Sequence, residues 1–395
     1  MKTAVGTLLL VLHLLTCVVT AHPTDLQGRV EAEGMYFFSS SAYPGQQDGL
    51  GSLALEAEFF HSFPSGASVT IKPFARLDSS DSARNHADLR RCSLLVPFDG
   101  GQIVAGFDKV FWGVTEFVHL VDIINQTDLV ESLDGEDKLG QPMLHLTTER
   151  YWGTVDAFLL PYFRERTFAG RAGRFRGPLV VDTPETQFES GAGKNHLDLA
   201  LRYSNAFGNW DFGIYHFRGT SRDPLFLETD EDKDLLVPYY QQISQTGSDL
   251  QYTRDQWLYK LETLYQTSNR GDGGAITCGF EYTFFAIANT AMDVGLIGEY
   301  IYDSRETAKT SLYDNDIMSG IRLNINDLHS KELLVGVVRD TRRNSTVLRL
   351  EYSQRLGTAF KLETSAICFP AIDQTDPAYF YHKDSSVTLS ISYYF

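Results

Sequence analysis

The chain has 395 residues, with 34 Lys and Arg against 51 Asp and Glu, and a formal net charge of −17 at neutral pH. That acid excess argues against a nucleic-acid partner, whose binding depends on Lys and Arg neutralising phosphates, and it suits a surface that handles cations. Beyond Leu15 no stretch approaches the ~20 continuous apolar residues with which a helix crosses a bilayer, which excludes a helical membrane protein.

Aromatic residues make up 13% of the chain, with 20 Tyr and 26 Phe, while mean hydropathy is only −0.20. A membrane β-barrel averages to such a value because lumen-facing and lipid-facing residues alternate along each strand.

Lys2, the apolar residues 5–15 and the small residues Val19, Thr20 and Ala21 before His22 have the layout of a cleavable secretory signal. Residues 1–21 are therefore expected to be removed, leaving 22–395 as one barrel domain. Leu15-Thr16-Cys17 could suggest a lipoprotein site, but Thr is a poor fit for the small residue needed before such a cysteine. Once Cys17 has gone, Cys92, Cys278 and Cys368 remain. Their odd number and wide spacing give neither a disulfide framework nor a zinc site, and they read as small hydrophobes facing lipid.

From residue 30 onward the sequence alternates with a period of two, the signature of strands with one apolar face. Val30, Ala32, Tyr36 and Phe38 oppose Glu31 and Glu33, and Leu55, Ala57 and Phe59 oppose Glu56 and Glu58. Residues 102–112 form the fifth predicted strand, and residues from Thr154 to Arg166 a later one. Leu197, Leu199, Leu201 and Tyr203 alternate with His196, Asp198 and Arg202, as Ile317, Ile321, Leu323 and Ile325 do with Asp316, Arg322 and Asn324.

The last ten residues set Val387, Leu389, Ile391, Tyr393 and Phe395 against Ser386, Thr388, Ser390 and Ser392. A final strand ending in Phe resembles the assembly signal of outer-membrane barrels. The resemblance implies that Leu389, Ile391, Tyr393 and Phe395 are the segment read by a barrel-assembly machinery.

Counting such runs gives about 18 strands, with 16 as the alternative because registers within 89–111 and 239–265 are ambiguous. Each run approaches the ~9–11 residues that cross a membrane at barrel tilt. The fold class is therefore all-β, a transmembrane antiparallel up-and-down β-barrel. Short turns rich in Gly, Pro, Asn and Asp, such as 63–66, 98–101 and 205–209, alternate with long polar loops at 39–49, 113–141, 167–194 and 220–237.

Residues 113–141 form the third long loop. In general porins the third loop folds into the lumen and narrows it, and the resemblance implies a constriction carrying Glu116, Asp122, Asp128, Glu131, Asp134, Glu136 and Asp137. The run from Phe107 to Gly113, with Asp122-Ile123-Ile124-Asn125 after it, is also similar to proteobacterial porin-like proteins whose fifth strand ends in Trp-Gly. That likeness implies the class and no particular solute. Residues 119–124 are expected either as a short helix on the inner wall or as a simple anchor.

Opposite the loop, Arg164, Arg166, Arg202, Arg218, Lys260, Arg322 and Arg349, with Arg355 and Lys361, are assigned to polar strand faces as a basic wall. Acidic and basic groups facing each other across a narrow aqueous gap orient charged solutes. The acid clusters 134–137 and 228–234 lack the spacing of a calcium loop and read as solvated charge near lipopolysaccharide. No metal or cofactor is expected.

Three functions compete. A channel for small hydrophilic solutes, with a bias to cations, leads because barrels of this size leave an aqueous lumen. A rim lipase or protease lacks a Gly-x-Ser-x-Gly elbow or a His-Glu-x-x-His pair, and His119, His196, His216 and His382 are scattered, so an enzyme is not expected. A polysaccharide-export barrel would need a more uniform Arg ladder. The apolar outer face allows a homotrimer without specifying one.

Overall fold

The computed structural model describes residues 24–228, 235–305 and 311–395. The signal segment and most of the 228–234 acid cluster lie outside them. Twenty-two strands follow in chain order: β1 (Thr24–Phe37), β2 (Gly49–Ser62), β3 (Ser68–Asp78), β4 (His86–Phe98), β5 (Gly101–Asp108), β6 (Gln141–Arg150), β7 (Gly153–Leu160), β8 (Val180–Val181), β9 (Gln187–Phe188), β10 (Asp198–Phe207), β11 (Trp210–Thr220), β12 (Leu225–Glu228), β13 (Leu235–Tyr240), β14 (Gln242–Arg254), β15 (Trp257–Ser268), β16 (Gly273–Phe284), β17 (Met292–Asp303), β18 (Asn315–Ile325), β19 (Lys331–Asp340), β20 (Thr346–Leu356), β21 (Phe360–Ala371) and β22 (Ser386–Tyr394).

Eighteen of these strands form one antiparallel sheet that closes where β1 pairs with β22 as well as with β2. Closure matters physically because a sheet without edges leaves no backbone group unpaired in lipid. At the seam Gly28 and Phe395 exchange both N–H···O bonds at 3.0 Å. A Cβ on Gly28 would come within 2.6 Å of the Phe395 ring, so the seam needs glycine there.

The short connections gather at one end. Gly100, between β4 and β5, and Gly208, between β10 and β11, both have positive φ, as tight hairpin turns require. Rings of Trp152, Trp210, Trp257, Tyr259, Phe360 and Tyr393 are exposed near this end, forming an aromatic girdle of the kind that sits at a membrane interface. Above it the outer face is apolar along most strands. Cys92, Cys278 and Cys368 pair across their ladders with Ile71, Leu261 and Leu348 and share that outer face.

The long loops leave the other end. Two of them carry structure that the period-two pattern does not reveal: β8 and β9 lie in 161–197, and β12 pairs antiparallel with β13. Together they make a four-stranded sheet beside the rim.

Two strand ends differ from the sequence expectation. The fifth strand stops at Asp108 because side chains of the following loop capture the next backbone donors: Asn125 Oδ1 accepts from Val110 N at 2.8 Å, and Asp122 Oδ1 from Trp112 N at 2.7 Å. β7 stops at Leu160 because Pro161 has no N–H for the ladder. Arg164 and Arg166 therefore lie in a loop and not on a strand face.

Candidate functional site: a loop inside the barrel and the passage beside it

Residues 109–140 join β5 to β6 as the third long loop, and they run inside the barrel. Two inward carboxylates hold the chain there. Glu262 on β15, wholly buried, accepts from Val114 N at 2.7 Å, Thr115 N at 3.1 Å and Val121 N at 3.2 Å, and lies 2.8 Å from Thr115 Oγ1, whose one proton also has Val118 O as an acceptor at 2.7 Å. Glu299 on β17 accepts from Glu116 N at 2.7 Å and Phe117 N at 3.2 Å. Irregular backbone is tolerated at membrane depth only when its polar groups are satisfied in this way.

Apolar packing completes the attachment. Val121, Ile123 and Ile124 bury themselves against inward-facing Phe158, Leu160, Tyr215, Phe217 and Ile243. Phe117 sits over a glycine pair, Gly320 and Gly336, where a Cβ on Gly336 would meet the ring at 3.0 Å. No helix forms within 119–124, so the anchor reading of that segment holds.

The seven loop acids divide into distinct roles. Asp122 faces the loop's own backbone, as above. Asp128 is fully buried and bound by Arg90 at 2.6 Å and by the Thr167 hydroxyl at 2.6 Å. Neither lines the open lumen. Glu131 does, but it is bound by Arg76 at 2.9 Å. Glu116 is held by Arg322 and lies 3.6 Å from Lys260. Asp134, Glu136 and Asp137 line cavities.

Burial, with Asp134 and Glu131 beside it, pushes the Asp137 carboxyl up to about 6. Burial works against a charged His119 imidazole, but Glu136, 2.7 Å from Nε2, and Glu262, 3.9 Å from Nδ1, outweigh it and raise the pKa to about 10. His119 in turn holds the Glu136 carboxyl below its ordinary range.

The proposed basic wall is only partly a wall. Arg202 faces inward but is clamped to Asp249 at 2.6 and 2.9 Å, beneath the Trp112 ring. Lys260, Arg322 and Arg349 face the lumen. Arg164 binds Asp88 at 2.7 Å and Arg166 binds Asp223 at 2.5 Å, both from loop positions.

Arg218 points outward: on β11 it shares a face with exposed Ile214, while Tyr215 and Phe217 point in. Two further cations, Arg76 on β3 and Arg90 on β4, meet the loop acids Glu131 and Asp128. Their signal was parity, since each alternates with an outward neighbour, but a bulge between Lys72 and Pro73 scrambles the register there.

Beside the loop a cavity of about 670 Å³ follows the walls of β1–β3 and β19–β22, lined by Arg29, Glu33, Glu56, Glu351, Ser365 and Thr388 among others. A second of about 380 Å³ lies under Phe111 and Phe117. Glu116, Asp134, Leu334, Arg349 and Glu351 line both and form the neck between them. Above, the loop 161–197 crosses the mouth. Its Arg174 is buried against Asp384 at 2.7 Å, reaches Asp48 at 3.0 Å and lies over the Phe37 ring, tying three loops together.

Among the described residues one group brings metal-ligating side chains together, and one histidine lies near a serine hydroxyl. His86 lies 3.4 Å from Glu131 and 3.8 Å from Asp128, but Arg76 and Arg90 already neutralise those carboxylates. His216 Nε2 is 3.5 Å from Ser244 Oγ, with Thr246 rather than an acid at its other nitrogen.

No protein-family model matches the chain, and no curated protein matches it in sequence. Among solved structures it is similar to Wzi, an Escherichia coli outer-membrane protein described as a carbohydrate-binding β-barrel involved in group 1 capsule assembly. The identity is 11%, over 92% of this chain and 83% of that one, with a TM-score of 0.54. Engineered forms of the Rhodopseudomonas blastica porin match over 94% of this chain and all of theirs, at 12–13% identity and a TM-score of 0.46. The fold is that of an outer-membrane β-barrel, closed by 18 strands.

Proposed function

We propose that the protein resides in a Gram-negative outer membrane as a channel for small hydrophilic solutes, with residues 109–140 as its constriction. The observation that carries this reading is a charged cavity left open along one side of a barrel whose outer face is apolar and aromatic-belted. A lumen of this kind needs water, and the loop beside it is fixed firmly enough to set a bore.

Among the lumen groups without an ion pair among the described residues, the carboxylates Asp134, Asp137 and Glu351 outnumber the cations Lys109 and Arg349, which favours cations in transit. The lipid-facing terminal strand with Leu389, Ile391, Tyr393 and Phe395 supports insertion by a barrel-assembly machinery, and the acidic loops suit a lipopolysaccharide surface. A homotrimer is compatible with the outer face.

The test is single-channel recording of refolded protein in a planar bilayer under a salt gradient. A stable, cation-preferring conductance is expected, with the preference falling as pH drops through about 6, where Asp137 loses its charge. Silence from a folded barrel would overturn the reading.

The Wzi-like fold and the strap held by Arg174 favour a second reading, a glycan-binding barrel with a closed mouth. That reading predicts silence in the bilayer together with retention of acidic polysaccharide on the folded protein.

A further inference from the structure

The neck between the two cavities has a charge pattern that the protein itself does not complete. Glu116 is paired with Arg322 and Lys260, and His119 is paired through Nε2 with Glu136. Three groups remain.

Arg349 on β20 donates only from Nη2 to the Tyr313 hydroxyl, at 3.0 Å. Its Nε is buried with no partner, and among the described residues it has no carboxylate at ion-pair distance. Asp134 accepts only from the Ser132 hydroxyl and the Glu136 backbone. Glu351, two residues along β20 and on the same inward face as Arg349, makes no hydrogen bond or ion pair among the described residues. One guanidinium thus attracts two carboxylates, Asp134 and Glu351, without reaching either at ion-pair distance, in a space walled by Phe111, Phe117 and Leu334.

Most other charges in the lumen find a partner within the chain, as unpaired charge in a confined space is costly. Three groups that line both cavities and attract one another without closing an ion pair therefore leave room for a partner from outside. We infer that the neck is a binding site for a small zwitterionic solute of net positive charge. Its carboxylate is taken by Arg349, and its ammonium groups by Asp134 and Glu351. The guanidinium fork matches a carboxylate geometrically, as a point charge does not, and Phe111 and Phe117 cover the solute's aliphatic stem. A plain dication would meet the repulsion of Arg349, and a plain anion would meet two carboxylates.

The inference rests on the channel reading for its biological sense, but its test does not. Calorimetric titration of detergent-refolded protein would use L-lysine and 1,5-diaminopentane, which keeps both ammonium groups and lacks the carboxylate. Lysine should bind more tightly than the diamine. Arg349→Gln should weaken lysine roughly tenfold or more, as expected for a lost charge-assisted pair, and leave the diamine unweakened. Glu351→Gln should weaken both.

If Arg349→Gln does not fold, Arg349→Lys keeps the charge without the fork and should give an intermediate loss. Equal affinity for lysine and the diamine, no lysine binding, or lysine binding indifferent to Arg349 would overturn the inference. Lysine binding by a barrel silent in the bilayer would sink the channel and keep the site. Conductance without lysine binding would do the reverse.

Discussion

The two halves of the lumen are built on opposite rules. Along β1–β3 and β20–β22 the inward side chains include Glu31, Glu33, Glu56, Arg76, Glu351, Ser365 and Thr388, and the space beside them is left open. Along β7, β10, β11 and β14 they include Phe158, Leu160, Ala200, Tyr215, Phe217 and Ile243, and the third loop fills the space instead. An inward apolar residue in such a barrel marks where a loop lies against the wall. An inward charge marks either a passage or, like Glu262 and Glu299, a fastening for the loop's backbone.

The largest test of that contrast is at the fastening. Replacing Glu262 by Leu would leave three backbone donors without their acceptor, at about 1–3 kcal/mol for each that water does not reach. The loop should come away from the β15 wall, raising single-channel conductance and exposing Lys109 and Lys138 to trypsin while the barrel stays heat-modifiable. Unchanged conductance and protease resistance would mean that apolar packing alone holds the loop, and the two halves would then differ less than their chemistry suggests.

A smaller effect follows from His119. Its pKa within the barrel, about 10, lies above the ordinary value near 6.5, so the pairing with Glu136 and Glu262 contributes fully below about pH 6.5 and is lost as pH rises through about 10. The Glu136 carboxyl is shifted the other way, so its share is present above the ordinary carboxylate range and fades only in acid. Loop closure should therefore loosen on the alkaline side, seen as growing current noise between about pH 7 and 10, and His119→Gln should abolish that dependence. Loosening on acidification alone would contradict the assignment.

Much of this architecture was legible in the sequence, because period two survives wherever one face meets lipid. The terminal strand, the count of 18 and the ordinal place of the third loop all follow from it. The faces of individual strands are harder to read when the inside is not wet. On β11 the interior is apolar because the loop covers it, and the exterior carries His216 and Arg218, so assigning the polar set to the lumen inverts the strand. The fastenings were hidden differently: Glu262 and Glu299 look like any inward charge until the loop backbone that they hold is in place. Arg164 and Arg166 were displaced by one proline, whose effect on the ladder extends to every residue after it.

The smallest expected effect tests that inversion directly. Arg218 stands on the outer face between Leu199 and Ser244, near the rim, where a long side chain can carry its charge up to the headgroup level. Arg218→Leu should therefore leave conductance and ion selectivity within error of the parent, whereas Arg322→Leu, at a position facing the lumen, should shift both by freeing Glu116 and Glu281. If Arg218→Leu changed selectivity as much as Arg322→Leu, β11 would have to be turned over, and the apolar side chains of Tyr215 and Phe217 would face lipid rather than the loop. The fully buried state of Phe217 weighs against that outcome, since a ring facing lipid would be exposed in the isolated chain, as Ile214 is.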